Sequence, residues 1–262
     1  MVQRFVRVRL QDDSVAYGHL EINRTVTLLN QAPWEAGEPI GVSLDPGSYQ
    51  LLAPCQPSKI IGVGRNYVAH AAEMQSTVPT EPLLFLKPPT TVAGPDQTIV
   101  YPLQSQQVEY EGELALVIGK PCHNCMPDVA HRYVWGYTIA NDITARDLQR
   151  TDAQWTRGKG FDGFCPLGPW IVRDIGNSAL LQTYRNDDPT PRQKTTIDTM
   201  VFAPERLVAY ISQVMTLMPG DIILTGTPAG VGAFNVGDRI SVTIEGIGTL
   251  SNTMAAQPQP EP

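Results

Sequence analysis

Several of the features that mark large functional classes are missing from this chain. No basic run is interleaved with aromatic residues, and Lys plus Arg number 19 against 26 Asp plus Glu. The resulting net charge of −7 argues against a general binder of nucleic acid or anionic membrane, since both repel a negative protein. No uninterrupted apolar stretch is long enough to span a bilayer. The start, Met1 to Leu10, alternates apolar and polar residues, a strand pattern and not the apolar core of a signal peptide. The expectation is a cytoplasmic protein with no membrane or nucleic-acid partner. There are only 4 cysteines, Cys55, Cys122, Cys125 and Cys165. Cys122 and Cys125 have C-x-x-C spacing, but a structural zinc site would want a second pair nearby and none exists. Pro121 and Pro127 bracket the pair in a stretch that reads as a loop, so free loop thiols are expected. G-x-S-x-G, H-E-x-x-H and a strong Cys/His/Asp signature are missing, which argues against serine hydrolases, zincins and cysteine proteases. The Gly-rich turn 224–232 is neither a Walker A loop nor a G-x-G-x-x-G fingerprint.

What is present reads as a globular chain, 42% hydrophobic and 17% charged over 262 residues, enough for one large domain with a small appendage. Short strands are expected at Phe5 to Leu10, Ala16 to Leu20 and Thr25 to Leu29. Pro- and Gly-rich punctuation follows, to Pro57. Further strands are expected at 59–63, 83–86, 106–118, 133–140, 221–224 and 239–244. Helical stretches are expected at Asn66 to Met74, with Asn66 as cap, at Thr144 to Gln154, and at Ala203 to Met218, where apolar residues fall at helical spacing. Strands dominate without regular βαβ alternation, so the fold class is α+β, mainly β. The division is a small N-terminal β domain at 1–55, a larger domain at 56–254 and a Pro-rich disordered tail at 255–262.

The most informative stretch is Val108-Glu109-Tyr110-Glu111-Gly112-Glu113-Leu114. A strand has a period of two, so Glu109, Glu111 and Glu113 project from one face. Clustered like charges repel unless neutralised, and a hard divalent cation is the simplest neutraliser. The plainer alternative is the solvated face of an edge strand. His70 and Glu73 stand at i, i+3, a pairing that makes a general base for water or an ordinary surface pair. Asp142 follows an apolar strand and is either a third ligand or a helix cap. Arg146 and Gln149 share a helix face, suited to a substrate carboxylate or to solvent. Lys159 lies in a Gly-rich segment, where a lysine can approach a developing enolate, or the segment is a simple loop. Thr227, in the Gly-rich turn 224–232, offers a hydroxyl to a carboxylate.

In order along the chain stand G-R-N-Y-x-x-H-x-x-E at 64–73, Y-E-G-E-L at 110–114 and N-D-x-T-A-R-D at 141–147. K-G-F-D-x-F-C-P-L-G-P-W follows at 159–170, and P-G-D-I-I-L-T-G-T-P-x-G-V-G at 219–232. From about Lys59 to Asn252 the chain resembles the fumarylacetoacetate hydrolase (FAH) family. The resemblance implies a mixed β-sandwich roll with a small N-terminal β domain, assembled as a homodimer. It implies Glu111, Glu113 and Asp142 as ligands for Mg2+ or Mn2+, which leaves Glu109 out of the ligand set. His70 and Glu73 match the water-activating pair, Lys159 the catalytic lysine, and Arg146, Gln149 and Thr227 substrate-holding positions. The activity implied is hydrolysis of a carbon–carbon bond in acylpyruvate-type 2-oxo acids, with a small 2-oxo (di)carboxylic acid as partner. The alternatives are an oxaloacetate decarboxylase or tautomerase, a 2-hydroxydienedioate isomerase, or a binding protein without turnover. One departure is the segment 183–192, which lacks the family's Asn-Gly turn and so leaves a local hairpin without its usual signal.

Overall fold

A computed structural model describes residues 2–258. It is mainly β, 40% strand and 17% helix. One large sheet runs Pro39–Leu44, Val26–Leu29, Val15–Leu20, Arg4–Leu10, Cys165–Val172, Val134–Asn141, Gly112–Ile118, Ile222–Leu224, Ile60–Gly64, Leu83–Lys87. The N-terminal strands extend this sheet, because Arg4–Leu10 pairs antiparallel with Cys165–Val172. A second sheet of five strands runs Gln193–Thr196, Leu180–Arg185, Arg239–Ile244, Gly248–Ala256, Thr98–Tyr101. A third, of three strands, joins Thr144–Ala145, Val108–Tyr110 and Gly232–Ala233. The main core lies where Leu114, Leu116 and Ile118 of the large sheet meet Leu181, Ile240 and Val242 of the five-stranded sheet. The amphipathic helix Pro204–Val214 closes one side of that core with Leu207, Val208 and Ile211.

Several sequence expectations are corrected. The helix 203–218 stops at Val214, because Leu217 leaves helical geometry to bridge backbone to backbone with Cys122. Cys122 and Cys125 are free and lie in a loop as expected, but both are buried; Ser212 of the same helix donates its hydroxyl to Cys125 Sγ at 3.4 Å. Asn66 caps no helix. It is fully buried, donating Nδ2 to the carbonyls of Phe202 at 3.0 Å and Thr225 at 2.7 Å. The helix it precedes is Val68–Glu73. The stretch 144–154 begins as a strand and becomes helix only over Arg146–Thr151. The strand Gly248–Ala256 continues through 255 and 256, the first residues of the expected tail, while 259–262 lie outside the described residues. The hairpin without an Asn-Gly turn forms all the same. Leu180–Arg185 pairs with Gln193–Thr196, and Asn186 takes the left-handed backbone (φ 57°) as the chain leaves the first strand. Among the described residues no helix is long and apolar enough to cross a membrane.

Candidate active site

The long strand expected at 106–118 is broken at Glu111, and the break builds the site. Before it, Val108 and Glu109 pair with Ala145 and Thr144 in the small sheet. After it, Gly112 pairs with Asn141 in the large sheet. Two antiparallel partners thus change sheets together, at Glu111 on one and Asp142 on the other. Asp142 N–H donates to Glu111 O at 2.8 Å, and Glu111 N–H donates to Asn141 Oδ1 at 2.9 Å. Gly112 permits the close crossing, since a Cβ there would lie 2.3 Å from Thr183 Oγ1. The turn brings carboxylate oxygens of Glu111, Glu113 and Asp142 within 4.8 Å of one another.

All three are buried, at 4%, 2% and 0% exposure, which removes the solvated-edge alternative. Asp142 caps nothing; its two oxygens accept Nζ–H bonds from Lys87 and Lys159, each at 2.5 Å. Lys159 also reaches Glu111 Oε2 at 2.9 Å. Arg146 bonds Glu109 Oε2 through Nε at 2.7 Å, and Glu111 through Nη2. Burial pushes the Glu111 carboxyl up, but Lys159 and Arg146 outweigh it and hold the group well below the carboxylate range. Burial lowers the Lys159 ammonium, yet Asp142 and Glu111 leave it above its ordinary value. Glu113 goes the other way: burial first, then the carboxylates of Asp142 and Glu111, push it well above its ordinary value. Among the described residues no cationic side chain pairs with Glu113, and its Oε2 accepts only Gly226 N–H, at 2.7 Å. Three buried oxygen donors, one of them lacking a countercharge, fit a hard divalent cation.

The cluster opens on a cavity of about 390 Å3 that also holds His70, Arg146, Gln149, Lys159 and Thr227. His70 Nδ1 donates to Glu73 Oε2 at 3.3 Å. Glu73, itself exposed, is anchored by Gly230 N–H at 3.0 Å. Arg146 Nη1 donates to Gln149 Oε1 at 2.6 Å, so the two do share a face. Lys159 lies not in a loop but at the end of the helical turn Thr156–Lys159. Its Nζ sits 4.8 Å from the Phe85 ring centroid. Thr227 donates its hydroxyl to Gly112 O at 2.9 Å and accepts from Gln193 Nε2 at 2.7 Å.

Sequence reading missed Lys87, Phe85 and Gln193, and it left Glu109 without a role. Lys87 carried one usable signal: it ends the apolar strand Leu83–Lys87, where a buried cation demands a buried anion. Gln193 carried none, because its importance depends on pairing between distant segments.

The family described as fumarylacetoacetate (FAA) hydrolase C-terminal matches residues 59–255, and the one described as Rv2993c-like, N-terminal matches residues 3–54. The human protein named oxaloacetate tautomerase FAHD2A, mitochondrial is 41% identical over 214 residues, 77% of this chain and 68% of that one. A solved 5-carboxymethyl-2-hydroxymuconate delta-isomerase from Mycobacterium smegmatis is similar at TM-score 0.90 and 42% identity, covering 97% of this chain and 100% of that one. A fumarylpyruvate hydrolase from Pseudomonas aeruginosa, solved with Mn2+ and pyruvate, is similar at TM-score 0.73 and 33% identity, covering 81% and 94%.

Proposed function

The chain belongs to the fumarylacetoacetate hydrolase family, and from that premise we propose a divalent-metal-dependent hydrolase that cleaves a carbon–carbon bond in acylpyruvate-type 2-oxo acids. The observation that carries this reading is the convergence of the carboxylate cluster, Lys159 and His70 on one cavity. Glu111, Glu113 and Asp142 are the proposed ligands for Mg2+ or Mn2+. Once bound, such an ion offsets negative charge on the oxygens of a 2-oxo acid as it grows during reaction.

The side chains supply the rest. Arg146, Gln149 and Thr227 hold the substrate, with Glu109 and Glu111 fixing the guanidinium from behind. The Glu73 carboxylate accepts from His70 Nδ1, which leaves Nε2 free to take a proton from water. The water oxygen then bonds to the distal carbonyl carbon. The carbon–carbon bond breaks, and its electron pair passes into the enolate of the pyruvate half. The Lys159 ammonium stabilises that enolate. The proton on His70 returns to the enolate carbon, so the products are pyruvate and a carboxylic acid.

The second reading is favoured by the likeness to the human protein named as an oxaloacetate tautomerase. Tautomerisation, like decarboxylation of oxaloacetate or isomerisation of a 2-hydroxydienedioate, needs the same stabilised enolate and no attacking water. Product analysis with Mg2+ or Mn2+ on acetylpyruvate, fumarylpyruvate, oxaloacetate and a 2-hydroxydienedioate separates the two. Hydrolysis predicts pyruvate plus an acid, abolished by EDTA and slowed at least about 100-fold in His70→Ala. Turnover of oxaloacetate alone, with His70→Ala still partly active, selects the second reading.

A further inference from the structure

We propose that a second cavity, at the seam between the N-terminal strands and the segment 89–97, is a binding site for a small phosphate-class dianion held by Arg7 and Arg9. The cavity measures about 510 Å3, inside the range of roughly 300–1,000 Å3 that small-molecule sites occupy. It shares no lining residue with the cavity of the carboxylate cluster, so a ligand here is independent of the reaction proposed above.

One strand places both guanidiniums. Residues two apart on a strand point the same way. Phe5, Arg7 and Arg9 of Arg4–Leu10 therefore share a face, while Val6 and Val8 turn to the core of the N-terminal strands. Burial falls along the shared face: Phe5 packs with Ala53 and Cys55, Arg7 is half-buried, and Arg9 is exposed. Arg9 stands in register with Gln50 on Tyr49–Leu51, which adds an amide to the same wall. Gln97 adds another across the cavity; its Oε1 accepts Gly94 N–H at 2.9 Å, which leaves Nε2 as a donor.

The charge of this pair has no partner in the protein. Among the described residues neither guanidinium enters an ion pair, and neither lies over an aromatic ring. No Asp or Glu lines the cavity, in a chain whose net charge is −7. Asp96, the one acid in the segment 89–97, instead accepts from Arg239 Nη2 at 2.7 Å. Burial pulls the Arg7 guanidinium below its ordinary value, and the titratable groups that act on it are Tyr17, Cys55 and Arg9. Burial raises Tyr17 and Cys55, each to about 12, so both are neutral near pH 7 and offset nothing. Arg9 only adds repulsion. A partly desolvated cation beside a like charge is unfavourable until an anion joins it.

The donors select the anion. Two neighbouring guanidinium forks and amide N–H groups suit the double charge and several oxygens of a phosphate. Pro57, Pro89 and Val92 give the cavity an apolar wall as well, which suits the carbon chain of a phosphate monoester better than the free ion.

The test is calorimetric titration of the full chain with glycerol 3-phosphate and with inorganic phosphate, in a constant chloride background. One saturable site is expected for both, tighter for the ester. Arg7→Gln and Arg9→Gln should each weaken it about tenfold or more, since charge-assisted bonds outweigh neutral ones, and the double variant should abolish it. Arg7→Lys, which keeps the charge without the fork, should bind more tightly than Arg7→Gln. These changes break no ion pair, so urea midpoints at or above the wild type should show that the variants fold. Equal affinity for ester and free ion supports the anion site and assigns it to free phosphate. No binding by the wild type, or undiminished binding by the folded double variant, overturns the site. So does displacement of the ester by Mn2+ with pyruvate, which would put it in the cavity of the carboxylate cluster.

Discussion

Lys87 shows how much of this site is set by one buried side chain. It is 1% exposed, bonds one oxygen of Asp142 and also donates to Ile143 O at 3.1 Å. Removing one member of a buried ionic set strands the other, at a cost of about 3–5 kcal/mol. Lys87→Met should destabilise the metal-free protein by that order in urea titration, and added Mn2+ should recover part of the loss. A denaturation midpoint equal to the wild type would mean that Lys159 alone suffices for Asp142. Residue spacing put Glu109, Glu111 and Glu113 on one face and offered Asp142 beside them, and the structure brings Glu111, Glu113 and Asp142 together. It could not separate Glu109 from the other two, because that distinction depends on where Arg146 lies. In the structure Glu109 takes the Arg146 Nε at 2.7 Å, and the oxygen cluster forms without it.

At the scale of elements, the site depends on loops that lock strands together. Gly230 has φ 99°, and a Cβ there would lie 1.9 Å from Arg192 O. Its N–H holds Glu73, and its carbonyl accepts from Tyr110 Oη at 3.1 Å. Gly230→Ala should therefore cost about 1–3 kcal/mol of stability. It should also lower kcat more than Mn2+ affinity, as Glu73 loses its anchor. Equal loss of both would place the loop's importance in the metal cluster instead. Strands with clear alternation or apolar runs, such as Arg4–Leu10 and Arg239–Ile244, were legible to within a residue. The break at Glu111 was not, because period-two patterning runs unchanged through it, and the close approach of Gly112 to Thr183 that goes with it joins residues far apart in the sequence. Strand Cys165–Val172 was hidden for a related reason: its glycine and two prolines read as loop, yet it is buried between Arg4–Leu10 and Val134–Asn141.

For the whole molecule, burial of thiols ties stability to alkaline pH. All 4 cysteines are free and buried. Burial pushes the Cys55 thiol up to about 12 and raises Cys165 as well. A group whose value is raised on folding contributes its full stability below the unfolded value, near 9 for a thiol, and loses it as pH climbs toward the folded value. Stability should accordingly fall from about pH 9 upward, and native thiols should resist a disulfide reagent at pH 8 until the chain unfolds. Rapid labelling of the native protein at pH 8 would contradict that packing. The large sheet runs without interruption from the N-terminal strands to Leu83–Lys87, and the carboxylate cluster lies where its central pair crosses into the small sheet. Recurrent strand patterns without βαβ alternation set the mainly β class, but nothing local in the sequence foretold this crossing.

The most direct test of the account is titration of Mn2+ into metal-free protein, with and without pyruvate, for the wild type and Glu113→Gln. The account predicts one site that tightens when pyruvate is present and is lost in the variant. Equal binding by both proteins, or no binding by the wild type, would contradict a metal centre on Glu111, Glu113 and Asp142.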